Sequence, residues 1–208
     1  MSLPFSHAQF FEVFQRYNEA VWPSQVALTL LALAVVALLF VPGRGRIISA
    51  ILAALWAWMA IAYLFTFFRA INPAATLFGV VFLAGAAAFA WSNLRFGWPG
   101  PARGAFGTAL IAYALAGYPL LGAALGQSYP AAPTFGLPCP TTLFTAGVLL
   151  FLQRPYPRHV LVVPFAWTLV GTLGAVLLGV PQDFGLIVAA AALAGLALAP
   201  MKRKESFA

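Results

Sequence analysis

Seven apolar stretches, at roughly 24–41, 47–68, 73–91, 105–124, 140–153, 159–179 and 182–200, take up most of this 208-residue chain. A helix needs about 20 consecutive apolar residues to cross the hydrocarbon core of a bilayer, and most of the stretches approach that length. Charged residues make up 7% of the chain and apolar ones 63%, against about 25% charged in soluble domains. The expected fold is therefore all-α: a polytopic membrane bundle of seven transmembrane helices with almost no soluble part. Its expected division is an external amphipathic interfacial helix at 1–23, the seven-helix domain at 24–200 and a basic cytoplasmic tail at 201–208.

The fifth stretch does not fit the pattern. From Pro140 to Gln153 it reaches only about 21 Å at about 1.5 Å per residue, against a core of roughly 30 Å. The segment before it, Gly126 to Phe144, reads GQSYPAAPTFGLPCPTTLF and holds Pro130, Pro133, Pro138, Pro140 and the only cysteine, Cys139. This segment is expected to dip in to meet the short helix, with its backbone buried in protein or lining a wet cavity.

Residues 1–23 read as one amphipathic helix. Ser6-His7-Ala8-Gln9 fits a capping box. Phe10, Phe14, Tyr17 and Val21 recur at helical spacing, with Glu12, Arg16 and Glu19 on other faces. The helix is expected to lie on the membrane surface and to end at Trp22-Pro23. It is not expected to act as a signal peptide, since Glu12 and Glu19 precede the first apolar run and no basic n-region stands before it.

The net charge of +7 is spread singly between apolar runs. It reads as an orientation signal rather than a nucleic-acid surface. Arg44, Arg46, Arg95, Arg103, Arg154, Arg158, Lys202, Arg203 and Lys204 follow odd-numbered stretches, nine positive residues against two, Arg16 and Arg69, on the other side. The N-terminus is expected outside and the C-terminus in the cytoplasm. Stretches two–three, four–five and six–seven then form hairpins with outer connectors, each carrying a proline where the next helix opens: Asn72-Pro73, Cys139-Pro140 and Val180-Pro181. Ala75-Thr76-Leu77-Phe78 beside Thr141-Thr142-Leu143-Phe144 allows a three-hairpin repeat; the alternative is a generic bundle.

Polar residues gather at the outer ends: Tyr17, Asn18, Glu19, Arg69, Asn72, Gln127, Tyr129, Cys139, Thr141, Thr142, Gln182 and Asp183. Three helix N-termini point the same way, each with free amide donors and a partial positive charge. The candidate ligand-binding residues are Tyr17, Glu19, Arg69, Asn72, Tyr129, Cys139, Thr141 and Asp183. Arg69 is expected to pair with Glu19 or Asp183 as a structural tie. Cys139 at a helix N-cap is a candidate nucleophile or soft-metal ligand, though a single cysteine also serves as a small buried apolar residue.

Other chemistries lack their residues. One cysteine excludes an internal disulfide and a dithiol relay. Both lysines follow the last stretch, so no retinal attachment is available. Two histidines on opposite faces do not supply a zinc set, and no serine has an evident histidine partner. No cofactor is expected. The leading function is binding or passage of a small solute through an outward-facing cavity. The alternatives are copper or mercury handling at Cys139, or a non-catalytic accessory role that docks a partner subunit or a second copy. Enzymatic activity has the least support, and the bilayer is the expected partner.

Three runs carry a resemblance. Tyr17-Asn18-Glu19-Ala20-Val21-Trp22-Pro23, Ile71-Asn72-Pro73-Ala74-Ala75 and Gly136-Leu137-Pro138-Cys139-Pro140-Thr141-Thr142 resemble signatures of a bacterial multi-span membrane family catalogued only as a domain of unknown function. The resemblance covers nearly the whole chain, and the Pro-Cys-Pro-Thr-Thr run is its most specific part. It implies the membrane fold and, with the charge bias, the bacterial cytoplasmic (inner) membrane. It implies no activity.

Overall fold

A computed structural model describes residues 4–199, so the basic tail at 201–208, with Lys202, Arg203 and Lys204, lies outside the described residues. Every long element is a helix. In chain order they are α1 (His7–Leu38), α2 (Gly45–Trp58), α3 (Ala75–Trp91), α4 (Pro101–Ala112), α5 (Tyr118–Ala124), α6 (Pro138–Leu149), α7 (His159–Leu178) and α8 (Gly185–Leu198). A π-turn at Met59–Leu64 extends α2, another at Tyr113–Gly117 joins α4 to α5, and a 3-10 turn at Pro181–Phe184 leads into α8. Among the described residues, five helical segments are long and apolar enough to cross a membrane: His7–Leu38, Gly45–Ala70, Pro101–Ala124, His159–Leu178 and Pro181–Leu198. This is compatible with a multi-pass membrane protein. α3, with 17 residues, and α6, with 12, fall short of that length.

The capping box forms as read. Gln9 N donates to Ser6 Oγ at 3.2 Å, and Ser6 N donates to Gln9 Oε1 at 2.8 Å. The expected end at Trp22-Pro23 does not. α1 runs on through both residues to Leu38, 32 residues in all, about 48 Å at the usual rise. A mid-helix proline removes one backbone bond and crowds the turn before it. Here Pro23 is exposed, and Gln25 Nε2 reaches back past it to Asn18 Oδ1 at 2.6 Å, so a side-chain bond spans the weakened turn.

The closest helix pairings are α2 with α3, α4 with α6 and α7 with α8. α4 and α6 meet backbone to backbone. A Cβ on Gly107 would sit 2.9 Å from the Gly147 carbonyl oxygen, and one on Gly147 would sit 2.9 Å from the Gly107 carbonyl oxygen. Small residues at such crossings let helices approach where lipid offers no hydrophobic drive between them.

α6 is the axis of the bundle. Every residue from Pro140 to Leu152 is buried, packed by α4, α7, α8 and the π-turn after α4. Trp56 of α2 donates its indole N–H to Thr145 Oγ1 at 3.2 Å. The shortness of the fifth stretch follows from this position, because an interior helix is enclosed by protein along its whole length. Beyond Leu149 the chain extends and pairs with the 95–97 connector, where Gln153 N donates to Arg95 O at 2.8 Å and Gly97 N to Phe151 O at 3.0 Å. Around this core the surface is apolar: Leu30, Ile61, Leu77, Leu120, Val162 and Val176 are all more than half exposed. Soluble monomers do not carry apolar surface on that scale.

Candidate functional site

At one end of the bundle α1, α3, α6 and α8 begin while α7 ends. Asn72 Oδ1 accepts from Ala74 N at 3.0 Å and so shapes the turn into α3. α6 opens at Pro138, where the missing amide donor costs nothing. Gly179, with φ 63°, adopts the left-handed conformation that closes α7. The chain then turns at Pro181 and places Asp183 beneath the others.

Between these ends lies a cavity of about 240 Å³. Phe10, Phe14 and Phe78 wall it, with Leu173 and Leu177 of α7. Val170, Leu173 and Leu177 are also exposed on the outer face of α7, so the cavity meets the apolar flank of the bundle there. Its floor is polar. Asp183, 6% exposed, accepts from the Tyr118 hydroxyl at 2.6 Å. The Cys139 sulfur lies beside the Asp183 carboxylate and the Trp167 indole without closing a bond of ordinary geometry to either. Trp167 Nε1 is buried and has no hydrogen-bond partner among the described residues. Gly171 leaves this space open: an added Cβ would lie 3.4 Å from Cys139 Sγ and 3.7 Å from Trp167 Nε1.

A family model described as "Family of unknown function (DUF6064)" matches residues 7–207. The chain belongs to this family. No curated protein and no solved structure matches it. In this DUF6064 chain the eight candidate residues separate. Asn72, Cys139 and Asp183 line the cavity. Tyr17 is buried behind the wall, accepting from Trp58 Nε1 at 2.8 Å. Thr141 is buried in the first turn of α6 and accepts from Gly136 N at 3.1 Å. Tyr129 is 54% exposed and donates to Asn18 O at 3.2 Å, beside a second groove between α1 and the α4–α5 segment. Glu19 is exposed and accepts from Gln15 at 2.9 Å.

The expected tie through Arg69 does not form. Arg69 is exposed while Asp183 is turned inward to Tyr118, and no ion pair joins Arg69 to Glu19 or Asp183 among the described residues. An exposed guanidinium keeps its hydration, whereas pairing with a buried carboxylate would strip it. Cys139 also sits two places further into α6 than expected. Leu137 is the N-cap, and Cys139 follows Pro138 inside the first turn. For a soft metal, Cys139 and Asp183 supply two donors; no group of three His, Cys, Asp or Glu gathers among the described residues.

Two residues of the DUF6064 cavity gave no sign in the sequence. Tyr118 and Trp167 each sit in an apolar run, where an aromatic looks like any other lipophilic residue, and the Tyr118–Asp183 bond joins positions 65 apart. Asn18 was legible as a polar residue at this end, but its role was not. It fastens the proline-rich segment to α1, donating to Pro130 O at 2.6 Å and Ala132 O at 2.8 Å. At the opposite end Arg103 donates to the Tyr156 hydroxyl and to Leu152 O. Burial works against ionisation of Tyr156, yet the hydrogen bonds and charges of Arg154 and Arg103 hold its phenol below the ordinary value.

Proposed function

We propose that this chain is a seven-span protein of the bacterial inner membrane, N-terminus outside, whose outer cavity binds a small and largely apolar molecule. The observation that carries this reading is the cavity itself, with aromatic and aliphatic walls over a few convergent polar groups. That is the usual make-up of a small-molecule site. It is larger than the engineered cavity of about 150 Å³ that takes up benzene. The reading is binding rather than passage, because the floor rests on α6, which is packed on every side from Pro140 downward. In the same frame the three hairpins have their connectors outside, and the arginines at the far end face the cytoplasm.

Gly174 provides the test. It lines the cavity, and a Cβ there would meet nothing within 4 Å. Gly174→Phe should fill the cavity without displacing backbone. Native mass spectrometry of the full chain, released from mild detergent, should show an adduct of a few hundred daltons at most that disappears in this variant. An adduct of equal occupancy in Gly174→Phe would sink the reading.

A further inference from the structure

We infer that the molecule held in this cavity carries a hydroxyl head on an apolar body; the inference rests on the binding reading above and names its ligand class. Two groups on the floor have unused hydrogen-bonding capacity of opposite kinds. Asp183 accepts one bond, from Tyr118, while a carboxylate can accept about four. Trp167 Nε1–H is a buried donor without an acceptor among the described residues, and burying such a group unpaired is costly. Both flank Cys139 Sγ, whose thiol is only a weak donor and a weak acceptor, so a small polar group beside the sulfur would take up the capacity that the thiol leaves unused.

The ligand head must therefore donate to Asp183 and accept from Trp167. An ammonium donates but has no lone pair to accept. A ketone or ether accepts but cannot donate, and a carboxylate would face Asp183 with like charge. A hydroxyl is the smallest group that does both, with one donor and two acceptor sites on a single oxygen. The body follows from the walls, since Phe10, Phe14 and Phe78 present ring faces and edges that suit an aromatic ring or a short chain. The apolar flank of α7 beside the cavity offers such a molecule a route from the surrounding lipid.

The experiment compares 4-hexylphenol, 4-hexylanisole and hexylbenzene by titration calorimetry. The purified full chain is held in lipid nanodiscs, with empty nanodiscs as the reference for partitioning. The phenol should bind about tenfold more tightly than the anisole, which keeps the acceptor but lacks the donor, and hexylbenzene should be the weakest. Trp167→Phe removes the N–H and keeps a ring against Phe78 and Phe82, whose centroids lie 5.4 and 4.8 Å from that of Trp167. In that variant phenol affinity should fall severalfold and the anisole should come level with hexylbenzene. Equal binding of all three would overturn the hydroxyl head and leave the cavity reading standing. An unchanged phenol preference in Trp167→Phe would overturn the role given to the indole. Undiminished phenol binding by Gly174→Phe would place the site elsewhere and remove both readings.

Discussion

Asn18 uses its whole side chain. The amide nitrogen donates to Pro130 O and Ala132 O, and the amide oxygen accepts from Gln25 at 2.6 Å and Thr134 at 2.8 Å. That satisfies both donors and both acceptor positions of a carboxamide, in a residue with no exposed surface. The two carbonyls it serves belong to a proline-rich loop that has no ladder or helix to pair them. Asn18→Leu keeps the volume and leaves those carbonyls orphaned, so it should cost about 2–4 kcal/mol. Denaturation of the detergent-solubilised protein checks this, together with faster proteolysis between Gly126 and Gly136. The exposed neighbour provides the contrast, since Glu19→Gln should stay within about 0.5 kcal/mol of the parent. If Asn18→Leu unfolds with the parent, the loop is held by something else.

At the scale of elements, the crossing of α4 and α6 is the tightest commitment in the bundle. Gly147→Ala puts a methyl group 2.9 Å from the Gly107 carbonyl oxygen and 2.8 Å from Ile111. Two helix backbones must then part, at a cost of about 1–3 kcal/mol from overpacking. Gly195→Ala in α8 meets nothing within 4 Å and should instead stabilise by about 0.5–1 kcal/mol, because alanine loses less backbone freedom in a helix. Unfolding of the two variants side by side should separate them in sign; equal effects would mean that the crossing is loose. The elements also show how far the sequence could be read. Helix positions, the Ser6–Gln9 cap and the proline starts were legible because they rest on local chemistry. The run through Pro23 was not, since a side-chain bond from Gln25 offsets the local penalty. The enclosure of α6 was hidden because an apolar run looks the same whether lipid or protein surrounds it. Its traces in the sequence were the shortness of the fifth stretch and the two glycines at the point of closest approach. Of the cavity, the sequence disclosed Asn72, Cys139 and Asp183, whose polarity stands out, and concealed Tyr118 and Trp167, whose partners are far along the chain.

For the molecule as a whole, the proposed orientation makes a simple prediction. Ser128 and Asn93 are both exposed and lie at opposite ends of the bundle. On a Cys139→Ala background, a membrane-impermeant maleimide added to intact spheroplasts should label Ser128→Cys at once. It should reach Asn93→Cys only after lysis; the reverse pattern would invert the topology. The buried axis also bears on how the protein is made. α6 leaves the ribosome before α7 and α8, which go on to cover it. At roughly 5–20 residues per second, the chain waits on the order of several seconds with its innermost helix bare on one side. A helix of 12 residues is poorly anchored by lipid alone, so its early hold must come from α4, made before it. The glycine contact between those two helices then holds α6 before its remaining cover exists, and the later helices close around a pair already formed.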